Sequence, residues 1–304
     1  MIWVVQFVGI GTVFALSPLM WGIAQTVKAR LQGRQGPSIS QMYWVIFKNW
    51  HKETRVPEWS SWAFRLAPSV AMGALFTMLV TIPLGGRVPA NWPHNVLTVF
   101  FLLALERFWS GLAGLDTAGT FGGLGASRIT TLGTGIEPAL FAALGIVWRV
   151  SGHGMIAPLA IRLTRTPGSL FPWALASLSL LLVLLAEWGR LPVDNPDTHL
   201  ELTMMHEATL LEYDGRLLAL SQWAMTLKFT VLAAFGWVIL GPALSSMWAN
   251  LGLRIGEIAV TAVGVGWLES RFTKLRYFQL PRYLAVAAGI GVLAWYLVVG
   301  GLLV

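Results

Sequence analysis

The chain alternates long apolar runs with short charged segments, and the runs set its architecture. Eight stretches read as spans: 2–25, 68–86, 96–114, 132–150, 169–189, 218–240, 251–269 and 283–303. Each is close to the ~20 residues that a helix needs to cross a bilayer. None alternates apolar with polar residues as barrel strands do, and backbone groups in lipid must pair within the chain. The prediction is an all-α integral membrane protein of about eight transmembrane helices, one transmembrane domain over 1–304. The first run, Ile2–Gln25, lacks a basic leader and a small-x-small cleavage site, and is read as a retained span. No internal repeat is visible.

The first loop breaks this rhythm. Lys28 to Arg34 is basic and is followed by Gly36-Pro37, a turn signal. Then Ile39, Met42, Tyr43, Val45, Ile46, Phe47 and Trp50, with Lys48, His51 and Lys52 at the end, predict an amphipathic helix at the membrane surface. It either simply anchors the chain, by snorkelling lysines and tryptophan, or offers a docking platform for a partner subunit through Arg30, Arg34 and Lys48.

Composition agrees with a membrane protein. Charged residues make up 12% and mean hydropathy is +0.66, where a soluble domain averages about 25% charged. Fourteen Lys and Arg fall in the odd-numbered loops and five in the others or at their edges, which predicts odd loops in the cytoplasm and both termini outside. Such loops account for the net charge of +7, and nucleic acid is not an expected partner. With no cysteine, this chain supplies no disulfide, thiolate-held iron–sulfur cluster or cysteine nucleophile.

Charges inside the apolar runs are the candidate chemistry, because each is costly in lipid unless partnered. Glu106 and Arg107 lie in the third span, about 100° apart on a helix, so both are expected inward but not bound to each other. The stretch 111–140 is rich in glycine and holds Asp116, Arg128 and Glu137. Without a preceding strand it is no nucleotide loop, and its glycines predict a bent loop or close helix packing. Glu137-Pro138 is read as the start of the fourth span, where the helix dipole would favour the carboxylate. Lys228 in the sixth span either joins an acid or snorkels to the interface, snorkelling being the preferred reading. Glu257 and Glu269 lie in and at the end of the seventh.

The densest chemistry is EWGRLPVDNPDTHLELTMMHEATLLEYDG, Glu187–Gly215. It holds seven of the chain's 14 acids: Glu187, Asp194, Asp197, Glu201, Glu207, Glu212 and Asp214. The fifth loop, 190–217, is thus acidic and predicted cytoplasmic. Carboxylates one helical turn apart raise each other's pKa, which suits proton exchange; the alternative is a solvated acidic loop. His199, Glu201, His206 and Glu207 lack the second histidine of HExxH, so a metal site is not expected. No GxSxG points to serine hydrolysis.

In order, ARLQGRQGPS, FWSGLAGLDTAGTFGGLGASR, the later IEP, and EWGRLPVDNPDTHLEL with LEYDG resemble the membrane subunit shared by respiratory complex I (its subunit 1) and the energy-converting [NiFe] hydrogenases of formate hydrogenlyase type. The GLDT and GASR wording is closer to the hydrogenases. The resemblance implies an eight-span, non-catalytic subunit of an oxidoreductase complex in a prokaryotic cytoplasmic membrane. It would join peripheral hydrogenase-like large and small subunits to antiporter-like membrane subunits. The [NiFe] centre and iron–sulfur clusters would sit on those partners, with no cofactor on this chain. Glu137, Glu187, Asp194, Asp197, Glu201 and Glu212 match the family's acidic positions and Arg128 its basic one; to this implied proton relay the reading of the residues adds Asp116, His199 and Glu207, with Glu106, Arg107 and Lys228 as further supporting charges. His199 stands where complex I has an acid, and the stretch between Glu201 and Glu212 departs from the part that shapes the quinone pocket, so quinone is expected only as an alternative ligand.

Overall fold

The computed structural model describes residues 1–87, 92, 94–151, 156, 170–195 and 204–299. Ten α-helices cover most of them: α1 Ile2–Leu31, α2 Gln41–Trp50, α3 Trp62–Thr81, α4 Val96–Asp116, α5 Thr120–Ser151, α6 Leu170–Glu187, α7 His206–Leu210, α8 Gly215–Leu240, α9 Met247–Arg271 and α10 Leu280–Val299. A 3-10 turn, Tyr277–Gln279, leads into the last. No strand occurs among the described residues.

Within the described residues each predicted span lies mainly on a helix, so the all-helical membrane class holds. The count of eight does not follow as directly. Among the described residues, six helices are long and apolar enough to cross a membrane, with a shorter apolar one at Phe171–Glu187. The remaining helix, α5, begins at Thr120 rather than at 132. The glycine-rich stretch is therefore helix packed on α4 and α7, not a bent loop. Glu137 and Pro138 consequently lie deep inside α5, and the helix-start reading of Glu137 does not hold.

Local chemistry sets several boundaries. Ser61 and Asn95 cap α3 and α4 by accepting from Ala63 N and Leu97 N, and Asp214 does the same for α8 at Gly215 N. The short α2 has the predicted two-faced pattern. It buries Ile46 and Asn49, and Asn49 Nδ2 donates to Gln222 Oε1 on α8 at 3.0 Å. Tyr43 Oη donates to the α1 carbonyl of Ala15.

The helix α8 is central. It packs on α1, α2, α3 and α9, and 78% of its apolar window is buried against 22–50% for the other five candidate spans. A helix buried nearly all round can place a charge on any face only if a neighbour supplies the partner. Lys274, after α9, meets Asp194, after α6, and Tyr213 Oη, after α7, donates to Phe64 O of α3 at 2.9 Å.

Candidate functional site: a buried charge chain opening into a cavity

Five charges form one chain that runs from the surface of the bundle at Glu137 into its interior. Arg107 on α4 pairs with Glu137 on α5, Nη1 to Oε1 at 2.7 Å, and with Glu187 at the end of α6. Glu187 also meets Lys228 of α8 at 3.2 Å, and Lys228 meets Glu106 of α4 at 2.7 Å. Side-chain exposure is 1% for Glu187, 9% for Arg107 and Lys228, 13% for Glu106, and 44% for Glu137 at the end of the chain. Lys228 thus does not snorkel. The interior location and double pairing correct that reading: two carboxylates already stand within reach of its ammonium, so nothing draws it to the interface. Glu106 and Arg107 do point inward and take separate partners. Three carboxylates against two bases leave one excess negative charge. The local backbone makes room for this, since a Cβ on Gly133 of α5 would lie 2.7 Å from Arg107 Cδ.

A second set ties down the connection after α6. Glu269, at the end of α9, accepts from Arg190 Nη1 at 3.1 and 3.3 Å and meets Lys28 of α1 at 3.3 Å. Arg190 is fully buried, with its guanidinium 3.5 Å above the Trp21 ring. Lys28 also donates to Asn195 Oδ1 at 3.4 Å. Four residues on, Asp194 accepts from Lys274 Nζ at 2.6 Å and faces His206 Nδ1 at 3.4 Å. Burial alone would raise the Asp194 carboxyl. The hydrogen bond and charge of His206, joined by Lys274, outweigh it and hold the group below the ordinary 3.8. Lys28 and Arg190, read from the sequence as loop charges, are buried structural bases instead.

Between these sets lies a partly open cavity of about 90 Å³. Glu106, Glu187 and Lys228 line it with Asp194, His206 and Glu207, while Trp21, Pro68 and Phe229 supply apolar wall. Gly189, at φ +58, turns the chain from α6 into this wall, and a Cβ there would lie 2.6 Å from His206 Nδ1. Tyr213 closes another side. Its ring stacks on Phe64 at 4.1 Å, and burial, with Asp116 nearby, pushes its hydroxyl well above the usual tyrosine value.

The structure brings together Glu106, Arg107, Glu137, Glu187, Asp194, Glu207 and Lys228 from the predicted set. Asp116 sits apart, accepting from Ser61 N, Ser61 Oγ and Phe64 N at the start of α3. Arg128 donates to Met204 O at 2.8 Å, which fixes the approach to α7. Glu212 is exposed near Gly119. Asp197, His199 and Glu201 lie outside the described residues. The docking candidates Arg30, Arg34 and Lys48 are all exposed. The predicted site list lacked Lys28, Arg190, Glu269, Lys274 and His206. A charge at the edge of an apolar run was the available signal for Arg190 and Glu269. Among the described residues, no group of three or more His, Asp or Glu side chains is placed to hold a metal.

Comparison with known proteins fits this architecture. Residues 3–300 match the family model described as NADH dehydrogenase. The chain belongs to this family. It is 30% identical to hydrogenase-4 component C of Escherichia coli (strain K12) over 295 residues, 94% of this chain and 93% of that one. Formate hydrogenlyase subunit 4 of the same strain is 31% identical over 293 residues, covering 93% of this chain and 94% of the relative. A subunit of the NADH-quinone oxidoreductase of Neisseria meningitidis (serogroup C, strain FAM18) is 25% identical over 276 residues, 83% of this chain and 76% of its own. A chain in the membrane-bound sulfane sulfur reductase, an archaeal respiratory membrane complex, shares the fold with TM-score 0.81 at 20% identity, covering 97% of this chain and 99% of that one.

Proposed function

We propose that this multi-pass membrane protein is a membrane-arm subunit of a complex I-like hydrogenase or related respiratory complex. In this reading it anchors a peripheral redox arm and couples electron transfer there to proton or sodium movement. The single observation that carries the reading is the chain Glu137–Arg107–Glu187–Lys228–Glu106, half-exposed at Glu137 and buried from Arg107 onward, whose Glu187, Lys228 and Glu106 line a cavity that Asp194 also lines. Buried ionisable residues in a membrane are chiefly found on ion pathways, because packing alone is served better by apolar side chains. The two hydrogenase relatives, matched over nearly their full length, support a hydrogenase-like partner arm that carries the [NiFe] and iron–sulfur groups.

Coupling would be electrostatic. A change of charge beside the cavity mouth shifts the balance within a chain that already carries an unmatched carboxylate, and a proton enters or leaves to restore it. The loop end then faces the cytoplasm, as the basic loops predict. Replacing Glu187→Gln in the assembled complex tests this directly: redox turnover with collapsed proton or sodium movement is the expected result, and unchanged movement would end the relay reading.

A second reading, that the chain forms a quinone site, has one observation in its favour. The cavity is largely apolar, and Trp188 Nε1, a buried donor without a hydrogen-bond partner among the described residues, belongs to a lining residue. A quinone carbonyl would accept from it. Inhibition of turnover by a quinone-site blocker, lost in Trp188→Phe, would favour that reading.

A further inference from the structure

The described histidines are 51, 94 and 206, and of these His206 lines the cavity. It opens α7, and its side chain is 33% exposed, where Glu187 and Asp194 are almost wholly covered. It therefore spans the step from outside to inside that the deeper carboxylates cannot make alone. Its Nδ1 faces Asp194 Oδ2 at 3.4 Å, and its backbone N–H donates to the same oxygen at 3.4 Å. Asp194 is fixed from its other side by Lys274. Among the described residues, Nε2 has no hydrogen-bond partner.

The charged surroundings come from every neighbouring segment. The connection after α6 supplies Asp194, and the connection after α9 supplies Lys274. Its own helix carries Glu207. Across the cavity stand Glu106 of α4, Glu187 of α6 and Lys228 of α8. Arg128 of α5 holds Met204 O, two residues before the ring.

We propose that His206 is the proton-exchanging group at the mouth of the cavity, oriented by Asp194 through Nδ1 and exchanging through Nε2. This rests on the relay reading above. Asp194 is held from two sides, by Lys274 and by His206. It is suited to the supporting role, since a fixed carboxylate beside Nδ1 selects the tautomer and stabilises the imidazolium. Histidine is also the side chain whose ordinary titration lies near neutrality. The step needs no other reagent. The Nε2–H bond breaks as an O–H bond forms on cavity water leading to the Glu187 chain, and the neutral ring takes its next proton from the bulk. In the reverse direction the same bonds form and break in reverse.

A purely structural role, latching α7 to the loop, predicts something different, and His206→Asn separates the two. Asparagine keeps an N–H donor near the Nδ1 position for Asp194 but does not titrate. The assembled complex would be reconstituted in vesicles, with proton uptake and redox turnover followed together from about pH 6 to 9. In His206→Asn, uptake is expected to fall about 100-fold and to lose the shape of the wild-type pH profile. Added imidazole is expected to restore uptake in His206→Ala, which also serves if the first variant assembles poorly. A wild-type pH profile in His206→Asn, or no imidazole response in an assembled His206→Ala, overturns the assignment. Glu187→Gln run in parallel keeps the failures apart. If it too pumps normally, the relay reading itself is wrong; if it alone fails, only the role of His206 is.

Discussion

Replacing Lys228 by methionine removes the cation that serves two carboxylates at once. At an effective dielectric of ~20, its attractions at 2.7 and 3.2 Å amount to roughly 6 and 5 kcal/mol before desolvation is counted. Desolvation offsets much of this, and stripping one partner from a buried ion pair leaves a net loss of about 3–5 kcal/mol. The loss should concentrate on Glu106. Glu187 keeps its ion pair with Arg107, whereas among the described residues Glu106 keeps the Ser110 hydroxyl at 3.3 Å and no other ion pair. Adding Glu106→Gln to Lys228→Met restores the original excess of one negative charge and removes the stranded group, so more than half of the stability should return. Adding Glu187→Gln instead gives the same net charge but leaves Glu106 bare, and should return little. Unfolding of the purified protein by titrated SDS, run as two double-mutant cycles, measures both couplings. Equal recovery in the two cycles, or no loss in Lys228→Met, would refute the proposed pairing.

Three further outcomes follow from the same geometry. Glu269→Gln leaves Lys28 and Arg190 as two buried bases without their shared acid, and should destabilise by about 3–5 kcal/mol, with partial recovery on adding Lys28→Met in the same SDS titration. Because Asp194 is held below its ordinary 3.8, it contributes stability that is complete above that value and lost as pH falls through its lower native one; hydrogen exchange of residues 188–195 should rise in that acidic window, and Lys274→Met should move the rise to higher pH. Gly133→Val should push Arg107 off Glu187, and a double-mutant cycle with Glu187→Gln should show the two changes to be coupled rather than additive.

Much of the architecture was legible in the sequence because hydrocarbon imposes it. A run of ~20 apolar residues has few alternatives to a helix, and within the described residues each predicted span lies mainly on one. The rule that intramembrane charges must be partnered picked out Glu106, Arg107, Glu187 and Lys228, though it did not name their partners. The start of α5 was misread because glycine and threonine between 117 and 134 resemble a loop locally. In the structure the glycines let α5 lie against α4 and α7, and that tertiary contact outweighs low helix propensity.

The sequence by itself determined that this is a helical membrane protein with an acidic segment and a small inventory of buried charges. Hydropathy and span length act locally, so they can be read one segment at a time. Only the tertiary structure decided which charges meet. Arg107 reaches Glu187 across 80 residues and Lys228 reaches Glu106 across 122, while Asp194 comes between Lys274 and His206 from two other segments. Pairing of this kind depends on which helix faces pack together, and no spacing along the chain encodes it.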